Sequence, residues 1–520
     1  MATYIKDDFV NIRTQPKSDA KVKLQLVFGD RVEVVKHENG WTKLKLPTRT
    51  NGKSTGWAKL NPNAHLMDKG VVKFSMVDVQ QGDGLVLETP DEKVVLIDGG
   101  DNKLFARHLA WRYFHKQTSK DNPYEVDAII ISHGDADHFD GLNDIVRSET
   151  ERGIPDRKRL FLAPKRIYYN GLVKLPSKFP SGSSRPAKKM FGSFKEIGTR
   201  TYATQLHDDP SKLSDNKLNA PFKRWKKTVK HWKTRRDIDI RRIAHGDNED
   251  EIFDFLHEED VKIQLQGPFT ETVDGKDAFR FFRAPKKSAV MHLRDEQGSI
   301  SASHTINGHS IAMHITYGNV RFNLTGDLNR PAMKLALAKL DKSELEAEIV
   351  KAPHHGSGDF DFEALKAMNP VVGIISSGDE SSFKEHIHPR ATLMAALGKV
   401  MRLDTGIILS TELAAFFSKK DYSHDRETLK KYFRARKDQN FTGEQVAKLF
   451  AGKLDPGDPD SFYAFERTNF GIIHIRTDGT RVLVFTHSGK KGLNEAYRFE
   501  VTKNANGERV IDFADKTSHR

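Results

Sequence analysis

At 520 residues the chain is too long for one ordinary domain, and 37% hydrophobic with 30% charged residues fits a globular protein with a generous polar surface. Its net charge of +13 comes without a single cysteine, which excludes disulfides and thiolate metal sites and leaves His, Asp and Glu as metal donors. No apolar run approaches the roughly 20 residues of a membrane span and the opening MATYIKDDFV lacks a signal-peptide core, so the expectation is a cytoplasmic protein with no transmembrane segment.

Residues 1–63 read as short strands, FVNIRT, KLQLVFGDRVEVV, GWTKLKL and GWAKL, broken by Gly29-Asp30, Asn39-Gly40 and Asn51-Gly52. This predicts a small all-β barrel. Asn11-Ile12-Arg13, Gly29-Asp30, Gly40-Trp41 and Gly56-Trp57 resemble the bacterial SH3-like domain. That resemblance implies a module that binds a ligand or protein partner and catalyses nothing. Trp41 and Trp57 fit barrel packing better than a binding platform.

From Val71 the runs VVKFSMVDV, LVLET, KVVLID and VDAIIIS, with a helical pattern over 103–118, predict a layered α/β core built from 71–150 and 246–410. Between these pieces, 151–245 carries 25 Lys and Arg against 8 Asp and Glu, a surplus larger than that of the whole chain. It reads as a basic insertion, suited to a polyanion or simply solvated. Within it, FKRWKKTVKHWKTRRDIDIRRI predicts a basic amphipathic helix. Its Lys223, Arg224, Lys226, Lys227, Lys230, Lys233, Arg235 and Arg236 are candidate nucleic-acid contacts. Trp225 and Trp232 would stack bases or, more commonly for a helix, join the core. Residues 411–465 predict a helical insertion, and 466–520 the closing strands of the core and a C-terminal tail.

Four potential ligands follow the buried strand VDAIIIS within six residues: His133, Asp135, Asp137 and His138. An extended loop turns residues i and i+2 to one side, so His133 and Asp135 would share one ion while Asp137 and His138 turn toward a second. His suits zinc, and carboxylates extend the choice to manganese or iron. Other strand ends carry Asp98, Asp327 and the pair His354-His355. Such groups are costly beside buried strands unless they are paired or bind something.

This order of motifs resembles the metallo-β-lactamase-fold enzymes, and in particular the soluble hydrolase domain of ComEC-type competence proteins. The residues that carry it are Asp78-Val79-Gln80-Gln81-Gly82-Asp83, Ile97-Asp98-Gly99-Gly100, the His133–His138 loop, Leu324-Thr325-Gly326-Asp327, Pro353-His354-His355-Gly356-Ser357 and His388-Pro389. The resemblance implies a four-layer αββα fold and two divalent ions, Zn2+ or Mn2+. His133 and Asp135 would hold the first ion, Asp137 and His138 the second. Asp327 would bridge them, His354 would complete the second site, and His309 falls where the first site has a further His. His355 would be a ligand or a supporting residue, and Asp98 an orienter of the loop.

Paired ions about 3.5–4 Å apart activate a shared water and stabilise charge on the attacked centre. Asp137 would take the proton; His388 would protonate a leaving oxygen or contact phosphate, or else be a loop histidine fixed by Pro389. Ser376 and Ser377 would contact an anion. The resemblance implies a nuclease or phosphodiesterase on nucleic acid or nucleotides. A hydrolase of a smaller phosphoester or ester, and a scaffold protein with a structural metal, are the other readings. Oligomeric state leaves no mark in the sequence.

Overall fold

Alternation of buried and half-buried side chains in Phe9–Arg13 marks the first domain, whose seven short strands roll around Ile5, Val10, Ile12, Leu26, Val32 and Leu44. The structure is a computed structural model that describes residues 3–46, 55–286, 297–378, 388–403, 406–412, 471–489 and 494–513. Trp41 is buried in the barrel, and Trp57 is half-buried beneath the Lys36 and Lys43 ammonium groups, 5.2 and 5.8 Å from its ring.

The core begins with the antiparallel strands β1 (Val72–Met76), β2 (Gly84–Glu88) and β3 (Val94–Asp98). Helix α1 (Leu104–Arg112) crosses to β4 (Ala128–Ile131), parallel to β3. After α2 (Asn143–Thr150) come β5 (Arg166–Tyr169), α3 (Ala220–Lys233) and β6 (Asp239–Arg242), again parallel. The second sheet runs in chain order through β7 (Val261–Leu265), β8 (Met313–Tyr317), β9 (Val320–Leu324), β10 (Ile349–Lys351), β11 (Val372–Ile375) and β12 (Ile407–Ser410). Helix α4 (Ala302–Gly308) precedes β8; α5 (Arg330–Lys339), α6 (Phe362–Met368) and α7 (Ala391–Val400) connect the later strands. The hairpin β13 (Ile472–Thr477) and β14 (Arg481–His487), with β15 (Ala496–Lys503) and β16 (Arg509–Phe513), returns to the first sheet, β13 pairing with β1.

Three apolar layers hold this together. Phe74, Ile130, Met313, Phe322, Ile374 and Val484 meet between the two sheets. Helices α1 and α3 cover the first sheet through Phe105, Leu109, Trp225 and Trp232, while α5, α6 and α7 cover the second through Met333, Leu365 and Leu397. Helix, sheet, sheet, helix is the four-layer order the resemblance implies.

One expectation is corrected. The stretch 151–245 is not an insertion into the core, because β5 and β6 are strands of its first sheet and α3 is the helix packed on it. Six of the basic residues that suggested an insertion, Lys223, Arg224, Lys226, Lys227, Lys230 and Lys233, sit on the side of that helix away from its buried Phe222, Trp225, Val229 and Trp232. The helix also ends at Lys233, where DIRR turns into the edge strand β6. The expected helical segment 411–465 lies outside the described residues, apart from Thr411 and Glu412. Among the described residues no helix is long and apolar enough to cross a membrane.

The barrel rests on the C-terminal strands. Val27 and Phe28 pack with Val71, Leu483, Phe485 and Ala496. Arg476 donates to the Val27 and Phe28 carbonyls (3.1 and 2.6 Å) and pairs with Asp30 at 2.8 Å.

Candidate metal centre

Every parallel strand near the middle of either sheet ends at one edge of the sandwich, where open α/β sheets place their ligands. β3 delivers Asp98, β4 the 133–138 loop, β9 Asp327 and β10 the 354–355 pair; the turn between β1 and β2 adds Asp83. Among the described residues four sets of these donors lie within 4.8 Å of one another: His133, His138 and Asp327; Asp137, His138 and His355; Asp83, Asp327 and His355; and Asp83, Asp98 and His138.

Asp327 is the centre. Its Oδ2 faces four imidazole Nε2 atoms, of His355 at 3.1 Å, His138 at 3.3 Å, His354 at 3.8 Å and His133 at 4.0 Å. Three of the rings have their orientation fixed from behind. His138 Nδ1 lies 2.8 Å from Asp98 Oδ2, which accepts that proton as well as the Ser132 hydroxyl at 2.6 Å. His355 Nδ1 reaches the Ser376 carbonyl at 3.2 Å; a carbonyl only accepts, so Nδ1 carries a proton and Nε2 is the atom turned toward Asp327. His133 Nδ1 meets the hydroxyls of Ser132 and Ser310 at 3.1 and 3.2 Å. This is how metal-binding histidines are held.

The backbone is forced to achieve it. Gln80, Asp98, His354 and His355 all adopt left-handed φ values, 66°, 58°, 46° and 53°. Each costs about 1–3 kcal/mol for a residue with a side chain, and such strain concentrates where function requires it. Gly82, at φ 94°, packs so closely on the metal loop that a Cβ there would stand 1.6 Å from the Asp137 carbonyl oxygen.

A divalent cation fits this donor set. Among the described residues His138 Nε2, His355 Nε2 and Asp327 Oδ1 are buried without a hydrogen-bond partner, an arrangement that a shared cation resolves. Burial opposes charging His138 and His355, yet Asp327, with Asp98 or Asp83, outweighs it: His138 is raised well above the usual imidazole value and His355 is pushed up to about 9. Burial likewise opposes ionising Asp327, but His355 and His138 hold it well below the carboxylate range. Burial lowers His133 and His354 below the usual imidazole value, so the positive charge around Asp327 rests on His138 and His355. Among the described residues of the cluster, Asp137 and His354 have the most exposed side chains, 25% and 22%, so the opening lies beside them. His388 stands there too, its ring 5.8 Å from that of His354.

The structure brings His133, Asp137, His138, Asp327, His354 and His355 together and leaves two expected ligands apart. Asp135 is gripped at the rim by Lys174, and by Asn307 at 3.0 Å in the amide orientation that also lets it accept from His354. His309 is stacked between Phe279 and Phe282 and bonded to the Arg280 carbonyl at 2.8 Å, with burial lowering it to about 4. Aromatic packing claims it as a core residue. Ser376 donates to the Gly82 carbonyl and Ser377 to that of Glu412, so both are buried supports, not exposed anion contacts. Of the basic residues on and after α3, Arg224, Lys226, Lys233, Arg235 and Arg236 pair with Asp140, Asp215, Asp209, Glu149 and Glu125. Lys223, Lys227 and Lys230 are exposed, and Trp225 and Trp232 are core.

Asp83 and Lys351 were missed from the list of candidates. Lys351 is wholly buried, its Nζ 2.5 Å from Asp83 Oδ2 and 3.7 Å from Asp327 Oδ1. A lysine inside the apolar run AEIVKAP was the available signal.

Two family models match the chain: the bacterial SH3 domain over residues 8–65, and the metallo-beta-lactamase superfamily over residues 77–217. Both domains are therefore present, and the second supports a metal-dependent hydrolase. Its match takes in Asp83, Asp98 and the 133–138 loop and stops short of Asp327 and the 354–355 pair. No curated protein matches.

Proposed function

We propose that this protein is a metal-dependent phosphodiesterase acting on nucleic acid or nucleotides, with two divalent ions, zinc or manganese, held by His133, Asp137, His138, Asp327, His354 and His355. The observation that carries it is the single Asp327 oxygen facing four imidazole nitrogens. Ions bound there supply an activated water and a counter-charge for the attacked phosphorus.

The chain's own residues do the rest. Asp98 keeps the His138 proton on Nδ1, so Nε2 is free to donate. Asp137 Oδ2, 3.8 Å from His355 Nε2 and within 3.4 Å of the Gln81 amide, stands on the open side and would accept the proton of the attacking water. His388, beside His354, would protonate the leaving oxygen. The exposed Lys223, Lys227 and Lys230 supply positive charge that favours a phosphate substrate. A protein partner of the barrel belongs to the same reading, since Leu24, Val34 and Val35 are apolar and exposed there.

Metal analysis should return about two ions per chain. With manganese or zinc, purified protein should cleave DNA, RNA or bis-p-nitrophenyl phosphate, and Asp137→Ala should abolish cleavage. Equal cleavage by that variant assigns the activity to a contaminant and removes the proposal.

A further inference from the structure

Most cations around α3 are neutralised internally, but positive charge also gathers at the start of α4. A cavity of about 200 Å3 opens there, floored by Phe281, Phe282 and Leu335 and rimmed by Arg200, Arg280 and Arg283. Glu271 holds Arg280 at 2.7 Å and reaches Arg200 at 3.9 Å. Arg283 donates to the Gly298 carbonyl at 3.3 Å and meets no carboxylate among the described residues. Among the described residues, three guanidinium groups against one carboxylate leave a surplus of positive charge over an apolar floor. The matching ligand has an anionic group that a guanidinium fork can bind through two oxygens, attached to a flat apolar part. A nucleotide unit has both.

The cavity is tied to the metal centre by one short helix. Ile300 lines the cavity, Ser301 caps α4, and Asn307 near the other end of α4 touches His354 Nε2 at 3.2 Å. Seven residues at 1.5 Å each span about 10 Å, the rise of about three nucleotides at 3.4 Å per nucleotide. We propose that this cavity is a subsite for one phosphate and its nucleoside in a nucleic-acid strand, about three nucleotides from the bond that is cut. It rests on the phosphodiesterase reading for its register, and on its own charge and shape for its ligand.

The test uses the full chain and the double variant Arg200→Ala/Arg283→Ala; both side chains are exposed, and Arg280 is left on Glu271. Binding of a fluorescent single-stranded oligonucleotide of about twelve nucleotides is measured against salt in the presence of chelator. Loss of the one phosphate contact made by the subsite should lower the slope of log K against log salt by about 0.7. Arg200→Lys/Arg283→Lys, which keeps the charge, should retain most of the slope. With metal present, the double alanine variant should raise KM for the oligonucleotide by about tenfold or more, and by less for a dinucleotide, which is too short to reach the cavity. An unchanged slope, or a wild type that binds no oligonucleotide, overturns the subsite. Binding that responds to the variant in a wild type that cleaves no phosphodiester keeps the subsite and removes the phosphodiesterase reading.

Discussion

Replacing Lys351 by Met tests the electrostatics beneath the metal centre without touching an expected ligand. The ammonium is wholly buried and donates to the Gly326 carbonyl at 2.7 Å in addition to its Asp83 and Asp327 partners. Met fills similar space but leaves the buried Asp83 carboxylate without its cation, and removing one partner of a buried pair costs about 3–5 kcal/mol. Burial alone would lower the lysine and raise the carboxyl, yet each outweighs this for the other: Lys351 is raised above 10.5 and Asp83 lowered below 3.8. A depressed carboxyl stabilises above its ordinary value and a raised lysine below its own, so the contribution is fully present between those two numbers. It fades as pH falls through the folded value of Asp83 or rises through that of Lys351. Chemical unfolding at neutral pH with chelator, followed by fluorescence of the buried Trp225 and Trp232, should show the full loss. Asp83→Asn/Lys351→Met should recover more than half of it, because two neutral groups of similar shape replace the pair. A loss below about 1 kcal/mol in the single variant, or a double variant no better than the single, refutes the reasoning.

Three further outcomes follow from the same geometry. Asp98→Asn should weaken metal binding by about 10–100-fold in chelator competition, since the group that orients His138 is lost; unchanged affinity would show the ring needs no such support. Gly82→Ala should displace Asp137 and lower metal affinity and hydrolysis together, whereas Gly153→Ala, also at positive φ (76°) but with open space around it, should leave metal affinity unaltered. His309, lowered from 6.5 to about 4 by burial, binds its proton more readily when unfolded, so stability should fall by about 3 kcal/mol as pH drops from 6.5 to 4. His309→Phe should remove that component of the acid sensitivity in thermal melts, and an identical pH profile would exclude His309 as its source.

The barrel, the metal loop and the strand ends were legible because each has a local signature: turn dipeptides, period-two alternation, and donors packed into six positions after an apolar strand. The boundary at 151–245 was not. RIYY is only four residues long, and DIRR is a half-buried edge strand whose charges mask its pairing with β5. Asp135 was grouped with His133 from loop spacing, which carries no information about Lys174, distant by 39 positions and bonded to it. His309 looked like a donor because it is a histidine before a strand; Phe279 and Phe282, which flank its ring, come from another hairpin edge and leave no trace at its own position. Sequence proximity gives the candidates, and tertiary packing decides among them.

β1 lies between β2, its immediate successor, and β13, which the ribosome delivers almost four hundred residues later. At 5–20 residues per second a nascent chain waits tens of seconds with that strand's other margin bare. During that wait the barrel, which precedes β1 in the chain, also lacks Leu483, Phe485 and Ala496, the surface on which it rests. Premature termination would therefore release a molecule with an open strand edge and an uncovered apolar patch, a combination that invites aggregation.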